Sequence, residues 1–306
     1  MRSVGLGIRA ADRFSRERII MKYAVITGAS SGIGLAASAE LTKKGFSIIG
    51  IGHDEQRCLT AANSVQSENN DVNARFLCGD LMQQREVVRI AGEIAEILER
   101  ENEGKLDVLI NNAGCVRSWY TTTEEGYEQQ FALNHLAGFL LTYHLLPQLR
   151  RAGGRVIMTG SNSHKHFRMR WNDVMLTRGY NPLTAYKQSK LSNILFAKGL
   201  NDRYAREGIR ACVVDPGLVR TDIGNKNTGG LVNWIWGLRK KHGVPVEVPA
   251  MTYGYLCDQT NEANELYYHH CSPRRYSRQV TRENADRLFA LSEKLCGVAF
   301  PERIEI

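Results

Sequence analysis

Residues 27–34 read TGASSGIG and follow the apolar run Tyr23-Ala24-Val25-Ile26. Three glycines and three small hydroxyl side chains directly behind a buried strand mark a tight turn that something approaches closely. Glycine tolerates positive φ and has no β-carbon, so a ligand can touch the backbone there. The next helix, read from Ile33, aims its unpaired N–H groups and positive dipole end at the same point, which suits an anion such as a pyrophosphate. Glycine-rich turns also serve packing alone, so this loop needs support from the rest of the chain.

Working outward, strands and helices alternate. Ile33, Ala36, Ala37 and Leu41 read as one helix face, ended by Gly45, and FSIIGIG (46–52) as a second strand. Polar helical sequence spans 54–66, and ARFLCGD (74–80) is a third strand. Val87, Ile90, Ile94, Ile97 and Leu98 recur at helical spacing. LDVLINNAG (106–114) is a fourth strand, followed by one helix over 124–150. GRVIMTGS (154–161), IRACVVDPG (209–217) and ELYYHH (265–270) continue the series, with a helix between the first two ending near Gly208 and a last helix over 281–297. Such alternation predicts an α/β fold, a single Rossmann-type doubly wound parallel sheet of about seven strands with helices on both faces. No repeat, low-complexity tract or linker divides it, so one domain is expected.

The 306 residues carry a formal charge of +8, and residues 1–20 supply +3 of it through five arginines against Asp12 and Glu17. The rest is mildly basic, which fits an anionic cofactor and argues against nucleic acid. Met21 stands directly before the first strand, so residues 1–20 are expected to be an upstream misreading of the start, the rival being an Arg-rich targeting arm. Seven cysteines without a CxxC pair favour reduced thiols, no metal site and a cytoplasmic setting. The uncharged stretch 131–149 is interrupted by Asn134, His135, His144, Pro147 and Gln148, which favours a buried helix over a membrane span.

Gly28-x3-Gly32-x-Gly34, NNAG at 111–114, Asn134, Ser161, Tyr186-x3-Lys190 and Pro216-Gly217 occur in one order. In this ordered set, from about Tyr23 to the end, the chain resembles the short-chain dehydrogenase/reductase family. AYKQSKLSNILF and the tail LYYHHCSPRRYS…RLFALSEKL resemble its retinol-dehydrogenase-like branch. The resemblance implies a hydride transfer between a nicotinamide cofactor and a carbonyl or alcohol. Tyr186 is then the general acid/base, and Lys190 its electrostatic partner and a ligand of the nicotinamide ribose. Spacing supports the pair, because residues four apart share a helix face and an ammonium favours tyrosinate. Ser161 would hydrogen-bond the substrate oxygen. Asn134 resembles the asparagine that holds a relay water near the lysine; an amide satisfied by neighbouring backbone is its other reading. Where many members have two serines, this chain has Gly160-Ser161.

For the cofactor, the resemblance implies contacts from Gly28, Ser30, Ser31, Gly32, Ile33 and Gly34, and adenine contacts from Asp80 and Leu81. It implies support from Asn111, Asn112, Ala113 and Gly114, and a closing loop of Pro216, Gly217, Val219 and Thr221. An acid ending the second strand would bind the ribose 2′-hydroxyl and repel a 2′-phosphate. Gly52 and His53 stand there instead, so NADP(H) is the expected cofactor, with NAD(H) the alternative, and His53, Ser30 or Arg57 contacting the phosphate. A substrate lid is expected near 222–246, where Leu231, Trp234, Ile235 and Trp236 suggest a hydrophobic substrate. A peripheral membrane contact and a homo-oligomer interface are the other readings of that segment. The basic stretch between Ser161 and Tyr186 (His164, Lys165, His166, Arg168, Arg170, Arg178) is read either as a solvated loop or as a selector for an acidic substrate. Two other functions share parts of this pattern: a sugar-nucleotide epimerase or dehydratase, and a cofactor-binding scaffold without turnover.

Overall fold

The computed structural model describes residues 21–220, 243–258 and 264–302. The extension 1–20, Thr221 and the stretch holding Leu231, Trp234, Ile235 and Trp236 lie outside the described residues. The element order is β1 (Lys22–Thr27), α1 (Gly32–Lys43), β2 (Phe46–Gly52), α2 (Glu55–Gln66), β3 (Ala74–Cys78), α3 (Gln84–Asn102) and β4 (Val108–Asn111). There follow α4 (Gln129–Phe131), a π-helical turn (Ala132–Leu136), α5 (Ala137–His144), α6 (Leu146–Ala152), β5 (Arg155–Thr159), α7 (Pro182–Tyr204) and β6 (Arg210–Val214). The described chain closes with α8 (Glu247–Cys257), β7 (Tyr267–His269), β8 (Ser272–Pro273) and α9 (Arg282–Cys296).

The strands form one sheet in the order β3-β2-β1-β4-β5-β6-β7-β8, parallel except for the β7–β8 pair. An eighth strand of two residues therefore adds to the seven expected. Val25 of β1 pairs with Ile49 on one side and Leu109 on the other. The chain thus reverses its direction of growth at β1, and the crevice beyond β1 and β4 is where such sheets bind ligands. One core packs α3, α5, α7 and α9 on one face through Ile90, Ile94, Phe139, Ile194 and Phe289. A second packs α1 and α8 on the other through Ala37, Leu41, Tyr253 and Leu256.

Two readings of the sequence need correction. The single helix expected over 124–150 is three helical pieces and a π turn. Its start is fixed by Glu128, whose carboxylate accepts the N–H groups of Gln130 (3.0 Å) and Phe131 (2.7 Å). Pro147 falls in the first turn of α6, where its missing N–H is tolerated, so the helix restarts after Leu145. In α1 the fully buried residues are Gly34, Ala37, Ser38, Leu41 and Thr42, while Ile33 packs half-buried on the same core and Ala36 is half-buried; Gly34 lies closest to Gly28 and Asn112, just beyond the ends of β1 and β4. The helix α8 carried no clear periodic signal in the sequence reading.

His135 lies on the π turn within rings of Phe131, Phe139 and Phe196, its Nε2 2.9 Å from Ser292 Oγ. Burial pushes its pKa down to about 3. The unfolded chain, with histidine near 6.5, binds a proton that the folded chain refuses, so stability falls as pH drops from about 6.5 towards 3. His135→Leu should flatten the dependence of Tm on pH across that window. An unchanged slope would show that His135 plays no part in acid unfolding.

Candidate active site

The glycine loop leaves β1 and enters α1 with Gly28 at φ 67° and Gly32 at φ 57°. A β-carbon on Gly34 would overlap the Gly28 carbonyl and come within 2.7 Å of Asn112 Nδ2. That amide donates to Thr27 O at 3.0 Å, while Thr27 Oγ1 accepts the N–H groups of Asn112 and Ala113, both at 2.9 Å. The loop is therefore laced to the end of β4. Helix α1 has no acid in its first turn, and Ser31 at its N-cap makes no side-chain cap. Its N-terminus is thus left as an anion-binding end.

A cavity of about 630 Å³ opens over this loop, within the range of roughly 300–1,000 Å³ usual for small-molecule sites. It is lined by Gly28, Ser30, Ser31, Gly32 and Ile33 from the loop, His53 and Arg57 beyond β2, Asp80 and Leu81 beyond β3, and Asn112, Ala113 and Gly114 beyond β4. Cradle, cavity and donor set fit a dinucleotide. Gly34 serves the close packing just described and does not line the cavity. Gly52 has no room for a side chain: a β-carbon there would lie 2.6 Å from Ser30 Oγ and 2.5 Å from Cys58 Sγ. The next carboxylate, Asp54, is spent capping α2 at Arg57 N, 2.8 Å away. Arg117, Cys115, Met82 and Arg220, isolated in loops, and Leu133, on the π turn, also line the cavity and went unnoticed in the sequence reading, because none of them belongs to a local pattern.

None of the expected catalytic residues Ser161, Tyr186, Lys190 and Asn134 lines that cavity; Asn134 and Lys190 approach it behind Gly114, which does. Lys190 is buried on the inner face of α7; its ammonium donates to Thr159 O at 3.0 Å and lies 5.7 Å from the Tyr186 ring centre. Burial pushes Lys190 down to about 8, opposed by the charges of Cys115 and Asp215. Burial also pushes the Cys115 thiol up to about 12, so it is neutral, and Asp215 is the working counter-charge. Asp215, at the end of β6, accepts from Tyr267 Oη (2.8 Å) and Gly217 N (2.9 Å). It was read only as part of a strand, although a carboxylate ending an apolar run was a usable signal.

Asn134 is held on both edges: its Oδ1 accepts Cys115 N at 2.7 Å, and its Nδ2 donates to Cys115 O at 3.1 Å and Ser189 Oγ at 2.9 Å. A β-carbon on Gly114 would come 3.1 Å from Asn134 Oδ1 and 3.7 Å from Lys190 Nζ, so the amide and the ammonium face one gap. Ser161 follows β5, and its Oγ accepts Ser163 N at 3.2 Å. The departure at Gly160 is steric, since a β-carbon there would meet Val213 Cγ1 at 2.5 Å. Pro216, Gly217 and Val219 do not line the cavity. Gly217, at φ 72°, packs beneath His269, and Val219 forms a parallel bridge with Val244.

The basic stretch after Ser161 divides by burial. Arg168, Arg170 and Arg178 are exposed, whereas Met169, Val174 and Leu176 are buried and anchor the segment. His164, grouped with the cations in the sequence reading, is fully buried and held below its ordinary pKa by that burial. It is a neutral internal group.

The family model for short chain dehydrogenases matches residues 22–230. Human retinol dehydrogenase 13 is 33% identical over 302 residues, covering 94% of this chain and 88% of its own. Mouse retinol dehydrogenase 14 is 31% identical, covering 90% and 86%. A solved short-chain dehydrogenase from Sphingobium yanoikuyae in complex with NADPH superposes with a TM-score of 0.63 at 20% identity, covering 94% of this chain and 99% of its own. The chain belongs to the short-chain dehydrogenase/reductase family, enzymes that act on CH–OH and C=O groups with a nicotinamide cofactor. Within that family it falls in the retinol-dehydrogenase-like branch. Among the described residues no helix is long and apolar enough to cross a membrane.

Gly34→Ala tests the cradle. The added methyl must displace the Gly28 carbonyl, and such overpacking costs about 1–3 kcal/mol. Cofactor affinity, read by quenching of protein fluorescence, should fall by roughly tenfold or more, since 1.4 kcal/mol is a factor of ten. Unchanged affinity would mean that this contact does not shape the site.

Proposed function

We propose that this chain is an NADP(H)-dependent reductase or dehydrogenase of apolar carbonyls or alcohols, with Tyr186 as general acid/base. The observation that carries the reading is the buried Lys190 ammonium, one helical turn from Tyr186 and beside the cofactor cavity. When bound, the nicotinamide supplies or accepts the hydride. Ser161 donates a hydrogen bond to the substrate oxygen as negative charge grows on it. Tyr186 passes a proton to that oxygen in reduction and withdraws it in oxidation. An ordinary phenol near pKa 10 exchanges protons poorly at neutral pH, and the fixed charge of Lys190 eases that exchange. Lys190 also reaches the nicotinamide ribose, and Asn134 holds water at the gap it shares with Lys190, through which the spent proton is replaced.

Support for NADP(H) is steric and electrostatic. Gly52 excludes an acid from the ribose position, and His53 and Arg57 offer their polar groups where a 2′-phosphate would lie. Support for an apolar substrate comes from the relatives' names, which carry retinol, a largely hydrocarbon alcohol. The seven cysteines are all free thiols, in keeping with a reducing compartment such as the cytoplasm.

A panel of aldehydes, ketones and alcohols assayed with NADPH, NADH and their oxidised forms at 340 nm tests this reading. Turnover should favour the phosphorylated cofactor. Tyr186→Phe should retain cofactor affinity and lose roughly 100-fold or more in kcat, the usual scale of general acid–base catalysis. A Tyr186→Phe enzyme as fast as wild type would overturn the assignment. Arg57→Ala should weaken NADPH while sparing NADH; equal losses for both would remove the phosphate contact from the account.

A further inference from the structure

We propose that His164 is a positioning residue for Ser161, its ring tying the Ser161 carbonyl to the backbone of Ser277 and so aiming the substrate-binding hydroxyl. This rests on the role given above to Ser161.

The ring sits in a fully buried position, three residues after Ser161 and 113 before Ser277. Its Nδ1 lies 2.6 Å from Ser161 O, and its Nε2 3.2 Å from Ser277 N. A carbonyl can only accept and an amide N–H can only donate. The two contacts therefore fix one tautomer: Nδ1 carries the proton and donates to Ser161, while bare Nε2 accepts from Ser277. Both polar atoms of a buried ring are satisfied, and neither contact can be made if the ring turns over. The ring also packs edge-on against Tyr267, 5.0 Å between centres, whose hydroxyl is held by Asp215.

At the other end, Ser161 O accepts a second hydrogen bond from His164 N at 3.2 Å, and Ser161 Oγ accepts from Ser163 N at 3.2 Å. That N–H occupies one lone pair of the hydroxyl oxygen and leaves its proton available as a donor to a substrate. The backbone carrying the hydroxyl is thus braced by a segment from the far end of the chain. Geometry near the reacting oxygen matters steeply, since small misplacements of a positioned donor cost large factors in rate.

The test uses the full chain with NADPH and the best aldehyde from the panel. His164→Leu should lower kcat by roughly 10- to 100-fold, less than the roughly 100- to 1,000-fold cost of removing an oxyanion donor outright because the hydroxyl is misplaced and not lost, with NADPH affinity unchanged. His164→Asn places an amide nitrogen near Nδ1 and should recover most of that loss. In a Ser161→Ala background, His164→Leu should cost nothing more, because its effect runs through the missing hydroxyl. Full additivity, an unaffected kcat in His164→Leu, or an Asn variant as slow as the Leu variant would each overturn the proposal. Should the Leu variant fail to fold, the 15N shifts of the wild-type ring decide: protonated Nδ1 is required, and protonated Nε2 contradicts it. Loss of rate in Ser161→Ala with none in His164→Leu would sink only the positioning role. An unimpaired Ser161→Ala would sink the role of Ser161 itself.

Discussion

A lysine ammonium enclosed by protein is the constraint to which the rest of this site answers. Taking such a charge out of water is expensive, and it stays charged only with partners close by. Here those are the Thr159 carbonyl at 3.0 Å and the nearby carboxylate of Asp215. The carbonyl is itself shared, since Asn193 Nδ2 also donates to it at 3.0 Å. Three elements, β5, β6 and α7, must therefore keep their register for Lys190 to remain an ammonium. The desolvation that makes it costly also makes its field strong at Tyr186, one turn away.

The cofactor side obeys a different physics. Of the charged residues described there, Arg57, Asp80 and Arg220 are exposed and Arg117 is half-buried; the demand is for space and bare N–H groups. Gly34 supplies the space by packing on Gly28 and Asn112, and the uncapped end of α1 supplies the N–H groups. The two halves meet at Gly114, which has no side chain to part Asn134 from Lys190. Sheet order explains why they meet at all: β1 and β4 are neighbours in space although three helices separate them in sequence.

Much of this was legible in the sequence, for identifiable reasons. Strands buried on both faces read as apolar runs, and FSIIGIG became β2 residue for residue. The helix α3 declared itself through Val87, Ile90 and Ile94 because one side of it faces water. The ordered motifs located Ser161, Tyr186 and Lys190 because each sits at a strand end or on one helix turn. What escaped was set by tertiary contact. The π turn at Asn134 has no local signature; the side chain there is held by Cys115 and Ser189, which are remote in sequence. The helix α8 buries most of its residues, Pro249, Ala250, Thr252, Tyr253, Gly254, Leu256 and Cys257, and so has no amphipathic stripe to betray it. His164 reads as one cation among several until its partners, Ser161 and Ser277, are brought together by the fold.

The claim on which the account turns is that Lys190 is enclosed beside Tyr186, and its own titration tests that most directly. The side-chain 13Cε resonance of Lys190, assigned by its disappearance in Lys190→Met, should titrate with a midpoint near 8 in the cofactor-free protein. A midpoint at the ordinary lysine value of about 10.5 would place the ammonium in water and contradict the account.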